Sequence, residues 1–266
     1  MKRKFATAIL FVLTFFCLAT KAQFKINTKT LDAVKKATKA AGFSDTDAAG
    51  YAHESVQWMD AHNPVADEND EYAVRLNKIF GAHANEDGLA LNFKVYKVTD
   101  INAFACADGS VRVFSALMDI MTDDELLAVI GHEIGHVKNH DSRDAVKAAY
   151  TRAAGKDLLA SQSGVATALT EGQLGEMAEG MMNSSHSRKQ ESEADDYSYE
   201  FMKKYHYNVM GAYTAFMKLA QLSEGGPAQS KMQKMFNSHP DSKKRAEEIE
   251  SKSKKDGLWI EPALQK

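Results

Sequence analysis

Cysteine is nearly missing from this chain of 266 residues. It occurs twice, and Cys17 falls in an apolar N-terminal leader, which leaves Cys106 alone in the rest. No intramolecular disulfide can then form, and stability must come from a packed core. Proline occurs only four times. So few prolines, beside plentiful Ala, Met, Lys and Glu, favour a largely helical chain. Beyond the leader there is no run of 18 apolar residues, so no membrane-spanning helix is expected there. An excess of positive charge is also missing: 33 Lys and Arg stand against 36 Asp and Glu. Without the four cations of the leader the balance falls to about −7, which disfavours a nucleic-acid partner. A mean hydropathy of −0.40 with 26% charged residues excludes both a disordered chain and a multi-span membrane protein.

The leader has a pattern of its own. Lys2, Arg3 and Lys4 precede an apolar run at 5–19, and Thr20-Lys21-Ala22 puts small residues at −3 and −1 of a cleavage point. This predicts a signal peptide over residues 1–22, cut after Ala22, and an exported chain, periplasmic or secreted. The alternatives are an uncleaved anchor, for which the run is short, and a lipid anchor at Cys17, which the preceding Phe16 disfavours. Residues 23–266 read as a single domain, with a helical part at about 27–85 and a core at about 86–250.

Leu31, Val34 and Ala37-Thr38 recur at helical spacing, as do Tyr51, Ser55, Trp58 and Met59. Tyr72, Leu76, Ile79 and Phe80 predict a further helix closed by Gly81. The period then changes. Phe93, Val95 and Tyr96 to Val98, residues 101–106 and residues 111–114 predict three short strands, with Asp108-Gly109 as a hairpin turn. Thr122 and Glu125 form a capping box, with Asp123 and Asp124 in the first turn of a helix ending near Asn139 to Asp141. Residues 142–182, rich in Ala, Gly, Ser and Met, read as a helical hairpin or as a mobile lid. Helices are expected from Arg188 to Tyr205, from Met210 to Leu222 and from Ser242 to Ser251, with a break at Glu224-Gly225-Gly226-Pro227.

The chemistry concentrates on the helix that Thr122 opens. His132-Glu133-Ile134-Gly135-His136 is an H-E-x-x-H pattern. Histidines at i and i+4 share one helix face, so both imidazoles can reach one Zn²⁺, and Glu133 can reach a water on that ion. A catalytic zinc needs a third protein ligand and an open position. The metzincin pattern would need Gly at 139 and His at 142; Asn139 and Ser142 stand there. His140 reads as a supporting or structural residue. Glu191-Ser192-Glu193-Ala194-Asp195 supplies the better ligand. Glu191 and Asp195 share a helix face, while Glu193 points about 200° away from Glu191. Glu191 can then bind zinc while Asp195 accepts the second ring N–H of a ligating histidine, His132.

These motifs together resemble the gluzincin zinc metallopeptidases, the group of the HtpX and CAAX prenyl proteases, and within it the periplasmic LoiP-like members. The likeness rests on HEIGH followed 55 residues later by ESEAD, on Ile101-Asn102-Ala103-Phe104-Ala105, on residues 111–126 and 187–200, and on His239-Pro240 with Arg245. It covers about residues 70–250. It implies an α+β, mostly helical metallopeptidase domain with a small sheet before the HEIGH helix. It also implies one Zn²⁺ per chain on His132, His136 and Glu191, with Glu133 as general base and Asp195 behind the ligands. Asn102, Ala103 and Phe104 would pair with substrate backbone, Arg245 would lie with substrate, and His239 would stabilise the oxyanion or cap the metal at rest. The expected substrates are exported or misfolded envelope proteins with extended segments, and envelope or outer-membrane proteins are the expected partners. LoiP-like enzymes carry a lipobox, which is poor here. The rival reading is an envelope assembly or chaperone-like binding factor with latent proteolysis.

Overall fold

A computed structural model describes residues 44–160, 169–224 and 227–262. The expected signal peptide, the helical stripe of Leu31 and Val34, residues 161–168 of the 142–182 segment and Gly225-Gly226 of the expected break lie outside them. Helix α1 (Asp45–His62) starts from a capping box at Ser44, and α2 (Glu71–Phe80) from an Asp70 cap. Gly81 closes α2 as its cap residue, its N–H donating to the Asn77 carbonyl. Its φ is −56°, and the chain runs on into a 3₁₀ turn, Gly81–His83.

A small hairpin follows that the strand pattern did not suggest. Strands β1 (Asn85–Glu86) and β2 (Leu89–Ala90) pair antiparallel across Asp87-Gly88, both at positive φ. An Asp-Gly pair suits that turn, but two-residue strands are too short for any alternation to show. The three expected strands are β3 (Asn92–Tyr96), β4 (Ala103–Ala105) and β5 (Ser110–Phe114). They form a mixed sheet in the order β3-β5-β4, parallel between β3 and β5 and antiparallel between β4 and β5. Gly109, at φ 85°, makes the turn into β5; a Cβ there would sit 2.0 Å from the Ala90 carbonyl.

The short helix α3 (Ser115–Ile120) leads to α4 (Asp123–Lys138), opened by the Thr122–Glu125 capping box. Every residue of α4 from Glu125 to Val137 is buried, as suits a helix packed on all sides. His140 reverses the chain at φ 64°, and α5 (Asp141–Ala160) begins at once. Helix α6 (Glu171–Met182) packs on α5 and on α1, so the 142–182 segment contributes two packed helices. Then come α7 (Arg188–Lys204), α8 (Met210–Ser223), α9 (Pro227–Ser238) and α10 (Ser242–Lys255). Helix α9 was unexpected. Its Pro227 reads as a break, yet proline is well placed in a first helical turn.

Two apolar clusters flank the sheet. Val111 and Val113 face the larger one with α4, α7 and α8, while Phe104, Phe114 and Tyr96 face α1, α5 and α6. Period-two alternation in β5 therefore sends Arg112 to the second side. There Asp60 of α1 takes its Nε at 2.8 Å and Nη2 at 3.0 Å, and also accepts from Lys94 and the Tyr96 hydroxyl. No helix among the described residues is long and apolar enough to cross a membrane.

Burial would raise the Asp60 carboxyl, but Arg112, Lys94 and Tyr96 outweigh it and bring its pKa down to about 2. A carboxylate depressed on folding adds stability above its unfolded pKa, and loses it as pH falls through the folded value. Asp60→Ala, which strands the Arg112 cation, is expected to cost about 3–5 kcal/mol in chemical denaturation at neutral pH. It should also flatten the acid limb of the stability profile between about pH 4 and pH 2.

Candidate metal centre and active site

The site is built where α4 and α7 touch. A Cβ on Gly135 would meet the Ala194 Cα at 2.9 Å and its carbonyl at 3.0 Å; one on Gly131 would meet Ser198 Oγ at 3.1 Å. These two glycines let the backbones approach, and Ser198 Oγ donates to the Ala128 carbonyl across the contact at 2.7 Å. The ladder places Glu191 and Asp195, one turn apart on α7, beside His132 and His136, one turn apart on α4.

Each histidine is held by a carboxylate through its outer nitrogen. His132 Nδ1 lies 2.8 Å from Asp195 Oδ1, and His136 Nδ1 lies 2.9 Å from Asp141 Oδ2. The inner Nε2 atoms then converge, 3.0 Å apart. Glu191 faces both, with Oε1 3.3 Å from His136 Nε2 and Oε2 3.6 Å from His132 Nε2. His239, just after α9, adds Nδ1 at 3.1 Å from Glu191 Oε1 and 3.2 Å from His132 Nε2. Donor atoms of His132, His136, Glu191 and His239 all lie within 4.8 Å of one another, and all four side chains are buried.

Two imidazoles and a carboxylate, with outer nitrogens fixed by carboxylates, fit Zn²⁺. The electrostatics agree. Burial opposes a proton on His136, but Asp141 and Glu191 lift its pKa to about 9. On His132 burial, the Arg245 cation and His136 win, and its pKa drops to about 3. Burial alone would raise Glu191, yet the His136 and His239 contacts hold it well below the usual carboxylate range. Glu191 is therefore an anion beside two ring nitrogens, and a dication held there would displace the His136 proton.

Glu133 differs. Burial pushes its carboxyl up. Its Oε1 is buried without a hydrogen-bond partner among the described residues, and His239 Nε2 stands 3.4 Å away. It borders a cleft that runs from His136 and His239 along β4.

Arg245 is placed differently from its expected position with substrate. Its guanidinium is 5% exposed and fully engaged: Nη1 on Glu191 at 2.7 Å, Nε and Nη2 on Asp195 at 2.8 and 2.6 Å. It also lies over the Phe216 ring, 4.1 Å from the centroid. This geometry makes it the counter-ion that fixes Asp195 and Glu191. Asn102, Ala103 and Phe104 border the cleft or its edge strand, but the Phe104 ring packs in the core against Tyr96 and Phe114. Asn102 Oδ1 accepts from the Ala103 N–H at 3.0 Å. His140 stands away from the ligands at the surface, its Nδ1 3.6 Å from Asp45.

Two residues escaped the sequence reading. Asp141 does for His136 what Asp195 does for His132, and Gln190 Nε2 steadies its other oxygen at 2.7 Å. Its position, five residues after His136 at the start of a new helix, was the available signal. His186 stacks on His136, centroids 3.8 Å apart at 16°, and its N–H donates to the Ser238 carbonyl. It sits in a loop with no periodicity, so no signal marked it.

Removing either outer carboxylate should weaken the metal site without removing a ligand. Asp141→Ala is expected to lower zinc affinity about 10- to 100-fold, measured by competition with a chromophoric chelator. An unchanged affinity would mean that Asp141 does not orient His136.

A family model described as Peptidase family M48 matches residues 74–253, a span that holds His132, His136, Glu191 and Arg245. Metalloprotease YcaL of Escherichia coli (strain K12) is 45% identical over 214 residues, 80% of this chain and 82% of YcaL. Metalloprotease LoiP of the same strain is 37% identical over 252 residues, 94% of this chain and 98% of LoiP. A shorter likeness, 46% over 52 residues, joins the chain to a Protease HtpX homolog of Thermoplasma volcanium, covering 18% of this chain and 17% of that one. Family match and buried His-His-Glu cluster agree, and the chain belongs to peptidase family M48, a family of zinc metallopeptidases.

Proposed function

We propose that this protein is an endopeptidase that cuts extended segments of exported, unfolded or misfolded envelope proteins, with Glu133 as general base. The observation that carries the reading is Glu133 itself: a buried carboxylate oxygen without a partner, between the ligand cluster and the cleft. Zinc on His132, His136 and Glu191 would supply a Lewis acid for the scissile carbonyl and acidify a water. Glu133 takes that water's proton and passes it to the leaving amine. Its raised pKa suits both halves of the transfer. Asp195 and Asp141 keep the two rings aimed. His239, 3.4 Å from Glu133 on the cleft wall, is placed to hydrogen-bond the developing oxyanion.

Strand β4 is the peptide guide in this reading. It is a sheet edge, so the main-chain groups of Ala103 and Ala105 point away from β5. The Ala103 N–H is taken by Asn102 Oδ1, and the Ala105 carbonyl accepts from Ser142 Oγ at 3.1 Å. Pairing with an incoming strand would use the Ala103 carbonyl and the Ala105 N–H. Backbone pairing of this kind selects for extended chain rather than for sequence. Export rests on the leader at residues 1–22, and the envelope substrates on the likeness to LoiP-like enzymes.

Degradation of casein by the zinc-loaded protein tests the reading. Glu133→Gln should lower the rate about 10²- to 10⁴-fold while metal analysis still finds one zinc per chain. Wild-type turnover in that variant would remove Glu133 as the base. A zinc-loaded wild type that leaves casein intact would favour the binding-factor reading instead.

A further inference from the structure

Helix α7 begins in a turn that reaches His136 from three sides. Ser187 and Gln190 close a capping box there, so His186 is the residue before the cap and Glu191 the fourth of the helix. Those two positions commonly hold apolar residues that pack on each other and fix the entry of the chain. Here both meet His136 instead. The His186 ring stacks on the His136 ring, centroids 3.8 Å apart and planes 16° apart, and Glu191 Oε1 lies 3.3 Å from His136 Nε2. The capping glutamine serves the third side. Its Oε1 accepts the Ser187 N–H at 2.9 Å, and its Nε2 donates to Asp141, which holds His136 Nδ1. His186 is half-buried, and its backbone N–H donates to the Ser238 carbonyl at 3.2 Å, next to His239.

We infer that His186 is a positioning residue for the metal centre: its ring face fixes the plane of the His136 imidazole, so that Nε2 stays aimed at the ion. The inference rests on the reading of His136 as a zinc ligand. The Asp141 hydrogen bond sets the direction of one ring N–H but leaves the ring free to turn about it. A neighbour lying flat on the ring removes that freedom, and two stacked rings attract through dispersion and their quadrupoles. His132 is held in another way. Its ring neighbours His136, Phe216 and His239 stand edge-on, at 86°, 83° and 71°, and Arg245 Nη2 lies 3.0 Å from its Nδ1. What His186 supplies is an aromatic face. A phenylalanine can supply the same face, and an asparagine, which is polar but has no ring, cannot.

The test compares His186→Ala, His186→Asn and His186→Phe in the full chain. Zinc release to an excess of chelator gives the dissociation rate. Cobalt(II) in place of zinc gives visible absorption bands that report the coordination geometry. Release should be about tenfold faster in His186→Ala and His186→Asn, with altered cobalt bands, while His186→Phe restores the wild-type rate and bands. Chemical denaturation of the metal-free variants checks that each is folded, and the Asn and Phe pair decides the matter if His186→Ala is not. Wild-type release and bands in His186→Asn, or a His186→Phe no better than His186→Asn, overturn the inference and leave His136 a ligand. A His136→Ala variant that binds zinc as the wild type does overturns the ligand reading, and the inference with it.

Discussion

The contact between α4 and α7 is the constraint from which the site follows. Helices normally keep their axes about 8–10 Å apart because side chains intervene. At Gly131 and Gly135 there is no side chain, and the Ala194 backbone comes within 3.0 Å of where a Cβ would stand on Gly135. Both glycines lower helix propensity, by roughly 1 kcal/mol each relative to alanine, in the helix that carries the ligands. The gain is register. With α7 pressed onto α4, one turn of α7 presents Glu191 and Asp195 to one turn of α4 that presents His132 and His136. The glycine inside HEIGH is thus a packing requirement of the metal site.

The second consequence is a charge problem in a dry interior. Glu133, Asp141, Glu191 and Asp195 are each buried, and among the described residues Arg245 is the one buried guanidinium that touches this group. Charges out of water are stable only when paired and hydrogen-bonded. Arg245 satisfies Asp195 twice and Glu191 once. A zinc ion held by His132, His136 and Glu191 would supply two further positive charges to this group. Metal retention and the order of the α7–α10 contact therefore depend on the same electrostatics. The hydrogen-bonded outer carboxylates leave each Nε2 as the free donor, which is what a metal needs from imidazole.

Much of this was legible in the sequence, for identifiable reasons. The capping box at Thr122, the strand alternation at Val111 and Val113 and the i, i+4 pairs of ligands are local patterns, and local patterns survive without knowledge of packing. Asp195 behind His132 could be read because ESEAD fixes its face relative to Glu191. Arg245 could not be placed, because nothing local tells whether an arginine 50 residues past Asp195 faces solvent, substrate or a buried carboxylate. His186 and the β1–β2 hairpin failed for lack of period, and α9 because Pro227 reads as an end when it was a beginning. What stays hidden is long-range pairing of single side chains, set by how helices cross rather than by their own sequence.

We propose that the α4–α7 register makes Glu191, rather than a neighbouring acid, the third ligand. Glu193 sits on the same helix two residues away, exposed and 3.3 Å from Lys189. The direct test is zinc content after dialysis of Glu191→Ala beside Glu193→Ala. The first is expected to lose its metal while the second retains one zinc per chain. Equal retention in the two would contradict it.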